Sequence, residues 1–169
     1  MSGAIVGASR LQLCQSRKSL TNVLDLDNVC VFVCTIASAT NHAWLDDHDV
    51  IPVAYGEGVA ERIRAASGSK IGAFIDTFGG GYVELALELG VAPNRIDTII
   101  DFAAAAKHGV KTDGSSAAAN AQVLAELAGL IEAGRLEIPI AKVYRLADVR
   151  EAYQELARRH TRGKIVLVP

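Results

Sequence analysis

The chain lacks any uninterrupted apolar run of about 18 residues, so no membrane-spanning helix is expected. It lacks net charge of either sign: 17 Lys and Arg stand against 19 Asp and Glu, a formal charge of -2. That balance leaves no global electrostatic footprint for nucleic acid. Cysteines number three, and an odd, small number implies no disulfide framework. The N-terminus has no basic-then-apolar layout of a secretory signal, so a reducing, cytoplasmic setting is expected. Aromatic residues make up only 5% of the chain, too few to interleave with basic residues as a single-stranded nucleic-acid platform would require. Half of the 169 residues are hydrophobic, which is too apolar for disorder and enough for one domain with a sizeable core.

From residue 29 onward, short apolar runs alternate with helical stretches. Val29 to Ile36, Ile71 to Asp76, Arg95 to Ile100 and Lys164 to Val168 read as strands, the first two rich enough in apolar residues to be buried on both faces. Ile51 to Tyr55 is a short strand that Pro52 restricts to an edge or a strand start, and Leu136 to Tyr144 is a strand around Pro139. Helical spacing covers Ala39 to His48, Glu57 to Ser67, Tyr82 to Leu89, Asp113 to Ala133 and Asp148 to His160. In the last of these, Val149, Ala152, Tyr153 and Leu156 are expected to face inward. Strands alternating with helices predict an α/β fold with a parallel sheet. Ser9 to Asn28 has no clean period and no helix caps.

Several features could carry chemistry. Gly3 and Gly7 are the only candidates for a glycine turn that would cradle a phosphate, although no strand precedes them. In open α/β sheets ligands bind beyond the carboxyl ends of the strands, here Thr35 to Thr40, Asp76 to Gly80 and Ile100 to Ala103. The run Gly79-Gly80-Gly81 lets backbone approach a flat ligand, or simply permits a strand-to-helix turn. Cys30 and Cys34 share one strand face and read as core residues, not as metal ligands. His42, His48, His108 and His160 form no nucleophile or metal motif, so no metal is expected. Residues 135 to 164 hold eight Lys or Arg and four Asp or Glu. That excess suits either dipole complementation at a helix C-terminus or a phosphate patch.

The segments IPVAYGEG from Ile51, FIDTFGGGYVELALELGV from Phe74, and RLEIPIAKVYRLADVREAYQELARRHTRGKIVLVP from Arg135 together resemble the C-terminal half of medium-chain dehydrogenase/reductases. The branch is the zinc-independent quinone oxidoreductase and enone reductase type. The resemblance spans about residues 35 to 169. It implies a Rossmann-like, doubly wound, mostly parallel sheet, incomplete at its N-terminal side. It implies a division into an atypical segment 1–28, a cofactor-binding domain 29–134, and a part 135–169 that in the family returns to the barrel-shaped catalytic domain. That domain's main body and the first Rossmann strand have no counterpart in this sequence.

By the same resemblance the cofactor is NADP(H). Gly3 and Gly7 would stand at the phosphate turn. Ser38, Ala39 and Thr40 would lie by the adenosine ribose, with Tyr55 flanking its 2′-phosphate. Thr77 and Phe78 would border the adenine, and Ile100, Asp101 and Phe102 the nicotinamide. No basic residue stands near Thr40, where the family often has one, and no catalytic acid can be named. The implied activity is NADP(H)-dependent hydride transfer to a small-molecule quinone or enone, by this chain or as the cofactor-binding portion of such an enzyme. The alternatives are a non-catalytic nucleotide-binding or interaction module and an inactive fragment. No nucleic-acid or membrane partner is expected. A homodimer is, because a sheet without its first strand and its barrel leaves apolar edge and face exposed; a monomer in sedimentation that binds no apolar dye would contradict it.

Overall fold

A computed structural model describes residues 2–9, 31–68, 70–114, 119–158 and 161–169, with residues 2–9 and Val31 and Phe32 described by their backbone alone. Cys14, Cys30, His160 and the stretch 10–28 lie outside the described residues. The chain divides into two compact units, residues 2–114 and 115–169. Ser2–Ser9 joins the first unit's sheet.

The first unit is α/β. Its strands are β1 (Ser2–Ser9), β2 (Val31–Ala37), β3 (Ile51–Ala54), β4 (Ile71–Asp76) and β5 (Ile96–Thr98). Its helices are α1 (His42–Asp47), α2 (Val59–Ser67), α3 (Tyr82–Glu88) and α4 (Phe102–His108). The apolar face of α2 buries Ala60 and Ile63, with Val59 and Ala66 packed beside them. Helix α3 stops where Gly90, at φ 81°, donates to Leu87 O and Val91 donates to Ala86 O. Glycine supplies the left-handed conformation that such a stop requires. The core gathers Ile36, Ile63, Phe74, Val83 and Ile96, all essentially inaccessible, with Cys34, Val53, Ile71, Val91 and Val110 around them.

The sheet order is β3-β2-β1-β4-β5. β3 is parallel to β2, and β5 is parallel to β4. The Pro52 strand is an edge, where a missing N–H costs least. β1 fills the centre of the sheet but runs antiparallel to both neighbours. This strand was not expected: Gly3 and Gly7 lie inside it, not on a strand-to-helix turn. Gly3 falls at the register shift against β2 and Gly7 at the shift against β4, places where a residue without Cβ eases a bulge. Two further differences have local causes. The strand expected to reach Ile100 stops at Thr98, because the Thr98 hydroxyl takes the next amides. The alanine run 103–106 is helical, in α4, because Asp101 caps it.

The second unit contains α5 (Ala121–Glu132), β6 (Ile140–Arg145), α6 (Val149–Ala157) and β7 (Lys164–Val168). α5 begins later than its spacing suggested, where the Asn120 side chain accepts from Val123 N at 2.9 Å. β6 and β7 pair in parallel. Two strands cover only a narrow stripe of α6: Ala152 is buried and Val149 half-buried, while Tyr153 and Leu156, expected inward, are exposed. Leu124, Leu127 and Ile131 on α5 are exposed as well. A unit as short as 115–169 is marginal for closing a core of its own.

Candidate functional site

β2 and β4 each run antiparallel to β1 and hence parallel to one another, so the carboxyl ends of β2, β3, β4 and β5 share one edge of the sheet. From the centre, β2 to β3 steps outward one way and β4 to β5 the other. Such a reversal opens a crevice in an α/β sheet. Ile36 and Asp76 both pair with Ala4, which sets the ends of β2 and β4 two strand spacings apart, about 9–10 Å.

Asp76 organises one side of this edge. It is fully buried at the end of β4. Its Oδ1 accepts from Phe78 N at 2.9 Å and Gly79 N at 2.8 Å. Its Oδ2 accepts from Thr98 Oγ1 at 2.8 Å, and Thr98 is also fully buried. Thr98 Oγ1 in turn accepts from Asp101 N at 3.0 Å, with Ile100 N at 3.4 Å. One carboxylate and one hydroxyl thus fix both the loop 77–81 and the loop 99–101. A buried carboxylate is tolerable only with such a set of donors. Gly79, at φ 78°, completes the join: a Cβ there would come within 3.3 Å of Ile100 Cγ2.

The residues singled out in the sequence divide as follows. Ser38, Ala39 and Thr40 follow β2, with Ser38 Oγ 2.8 Å from Thr40 Oγ1 and accepting from Asn41 Nδ2 at 3.1 Å. Ala37 pairs with Ala54, which brings Ser38 and Tyr55 to adjacent strand ends. Thr77 and Phe78 follow Asp76 on the far side of β1. The Phe78 ring meets Tyr82 edge-on, centroids 5.8 Å apart. Ile100 and Phe102 are more than half exposed, as is Tyr55. The Asp101 carboxylate accepts from Ala104 N at 3.0 Å and caps α4. Gly3 and Gly7 do not join this group as a turn. Their strand pairs on both sides, and its carboxyl end lies at the opposite edge, beside Val31.

Thr98 and Arg62 escaped the sequence reading, and Asp76 entered it only as the start of the strand-end segment Asp76 to Gly80. For Asp76 the signal was present: a carboxylate ending an apolar strand directly before a glycine run. Arg62, on α2, donates from Nε to Ala54 O (2.9 Å), from Nη1 to Glu57 O (2.8 Å), and from Nη2 to Tyr55 O and Gly56 O (both 3.2 Å). Four successive carbonyls of the loop after β3 therefore close on one guanidinium.

The edge is acidic in sequence. Residues 36–42, 54–59, 76–82 and 98–102 include Glu57, Asp76 and Asp101 and contain no Lys or Arg. Burial, then the Asp76 carboxylate and the Tyr55 phenol, push the Tyr82 hydroxyl above its ordinary range. Among the described residues, no three His, Cys, Asp or Glu side chains gather as a metal-ligand set would.

Cys34, in β2, is a core thiol that burial pushes up to about 11. Its folded value lies above the ordinary 9.0, so the stability tied to the neutral thiol is complete below pH 9 and is lost as pH rises toward 11. Iodoacetamide at about pH 8 should therefore leave Cys34 unmodified in the folded chain, as read by peptide mapping. Alkylation as fast as in the denatured chain would contradict this burial.

Among solved structures, the chain is similar to the quinone oxidoreductase from Coxiella burnetii, with a TM-score of 0.61 and 24% identity over 79% of this chain and 44% of that one. It is similar to a mycobacterial protein solved in complex with NADPH, with a TM-score of 0.59 and 21% identity over 79% of this chain and 47% of that one. The CurK enoyl reductase gives a TM-score of 0.59 at 16% identity, over 78% of this chain and 45% of that one. These likenesses speak to the fold, and the chain spans less than half the length of each protein. No curated protein matches the chain. Residues 39–167 match the sequence family described as zinc-binding dehydrogenase, and over that span, well beyond half its length, the chain belongs to this family.

Proposed function

We propose that this chain is the cofactor-binding portion of an NADP(H)-dependent reductase of quinones or enones. What carries the reading is the shared carboxyl edge of β2 to β5, and Ser38, Thr40, Tyr55, Thr77, Phe78, Ile100 and Phe102 all lie in the segments that follow those strand ends. The family match and the NADPH complex of a neighbouring structure support it. The family's description names zinc, but the described residues assemble no donor set for it.

The residues present fit the adenosine half of the cofactor better than its pyrophosphate. Ser38 and Thr40 offer hydroxyls to the ribose. Tyr55 borders its 2′-phosphate. Thr77 and Phe78 offer an edge and a ring to the adenine. Ile100 and Phe102 give the nicotinamide an apolar wall that excludes water, and Asp101 holds that wall by capping α4. Residues 4–8, paired in a strand on both sides, offer the pyrophosphate no turn. When bound, the nicotinamide supplies the hydride, while the protein orients it.

The test is calorimetric titration of the purified chain with NADPH and with NADH. Roughly micromolar binding that favours NADPH supports the reading, and no binding at millimolar cofactor overturns it. A second reading, a nucleotide-binding module without turnover, is favoured by the direction of β1. Binding without quinone or enone reduction would select it, and turnover would dismiss it.

A further inference from the structure

We infer that Arg62 is the residue that makes this site favour a phosphate on the adenosine ribose, by holding the Tyr55 loop and by carrying the edge's positive charge. The inference rests on the nucleotide-binding reading above.

Three observations lead to it. First, the four segments of the carboxyl edge bring three carboxylates and no Lys or Arg. An additional anion there needs compensation from outside those segments. Second, Arg62 is bound to one of these segments at every residue from Ala54 to Glu57. Third, its charge is not spent. Among the described residues Arg64, Lys111 and Arg158 meet carboxylates within 4.0 Å, and Arg62 meets none. A guanidinium has five N–H groups, and the four bonds to carbonyls leave one to give.

The two parts of this role are separable by chemistry. The loop it holds is unusual: Gly56 at φ 98° and Gly58 at φ 74° turn the chain, and the carbonyls between β3 and α2 converge inward. Converging carbonyls repel one another unless donors lie between them. A planar fork that reaches four carbonyls from one centre is specific to arginine. A lysine ammonium keeps the charge but has only three donors at a single point. A glutamine keeps two donors and loses the charge. Arg62 is thus a positioning residue for Tyr55 and a charge for the ligand: Lys removes the fork and keeps the charge, whereas Gln removes both.

The experiment compares the wild-type chain with Arg62→Lys and Arg62→Gln by titration with NADPH and NADH, at about 50 mM and about 300 mM salt, where screening differs strongly. Thermal melts confirm that each variant folds. In the wild type, NADPH affinity should fall several-fold with the added salt while NADH affinity changes less. Arg62→Gln should weaken NADH by a few-fold, weaken NADPH by about tenfold more than that, and flatten the salt response, as expected when a charge-assisted contact is lost as well as the fork. Arg62→Lys should weaken both ligands together, by a few-fold, and retain the salt response. An unchanged NADPH to NADH ratio in Arg62→Gln overturns the inference. So does an equal loss for both ligands in both variants, the mark of a purely structural role. Should Arg62→Gln not fold, a wild-type NADPH affinity indifferent to salt overturns it on its own. Wild-type chain that binds neither ligand defeats the nucleotide reading itself, a result distinct from wild-type binding that ignores Arg62.

Discussion

Asp76→Ala is expected to lower the stability of the first unit by about 3–5 kcal/mol, the range for stripping the partner from a buried charged network. The substitution leaves three donors facing an apolar void: Phe78 N, Gly79 N and the Thr98 hydroxyl, all now within 2.9 Å of the carboxylate. Each orphaned buried group costs about 1–3 kcal/mol, less what water and relaxation recover. Asp76→Asn should cost less. Its Oδ1 keeps the two amides of the loop 77–81, while its Nδ2 points a donor at Thr98 Oγ1 and competes there with Asp101 N. Thr98→Val should remove the link to the loop 99–101 and leave the other loop intact. Asp76→Asn combined with Thr98→Val should then cost less than the sum of the two, because both act on one hydrogen-bond chain. Urea denaturation of the four chains measures this. A loss under about 1 kcal/mol for Asp76→Ala would mean that the two loops are held by something other than this carboxylate.

Gly163→Ala should be the most damaging single methyl in the second unit. Gly163 sits at φ 99° and its missing Cβ faces backbone, the carbonyl of Pro139. That carbonyl cannot retreat freely, since it accepts from Lys164 N at 2.8 Å where β7 begins to pair with β6. A left-handed backbone with a Cβ costs roughly 1–2 kcal/mol, and forcing atoms into filled space adds about 1–3 more. A total of roughly 3 kcal/mol is large for a unit with one buried residue among those described, Ala152. Amide exchange should accelerate across Ile140–Arg145 and Lys164–Val168. Gly134→Ala is the control. It has a comparable φ of 67° but open space where the methyl would go, so it should cost about 1 kcal/mol, the strain alone. Equal effects at the two glycines would contradict the argument from Pro139.

Much of this fold was legible because burial writes itself into sequence. The run containing Cys34, Thr35 and Ile36 and the run from Ile71 to Asp76 are strands with core on their inner positions. Pro52 marks an edge, and Gly90 marks a helix stop. Legibility failed where long-range pairing decides. Nothing local in Ser2 to Ser9 announces a central strand, and its direction depends on two neighbours far along the chain. The same segment looked like a phosphate turn because glycines ease strand bulges and tight turns alike. Tyr153 and Leu156 have the spacing of an inward face, but spacing cannot say whether a surface exists to receive them. At the candidate site, the exposed residues were visible from their places after the strands. The groups that hold them were not, because the bonds of Asp76 to Thr98 and of Arg62 to four carbonyls join positions that only the fold brings together.

The most direct test of the account is an amide chemical-shift map of the isotope-labelled chain titrated with NADPH. The account predicts that the largest changes fall on residues 38–40, 55, 77–78 and 100–102, the loops at the carboxyl edge, with residues 5–8 of the central strand little moved. Changes confined to the basic stretch 135–164, or no changes at saturating cofactor, would contradict it.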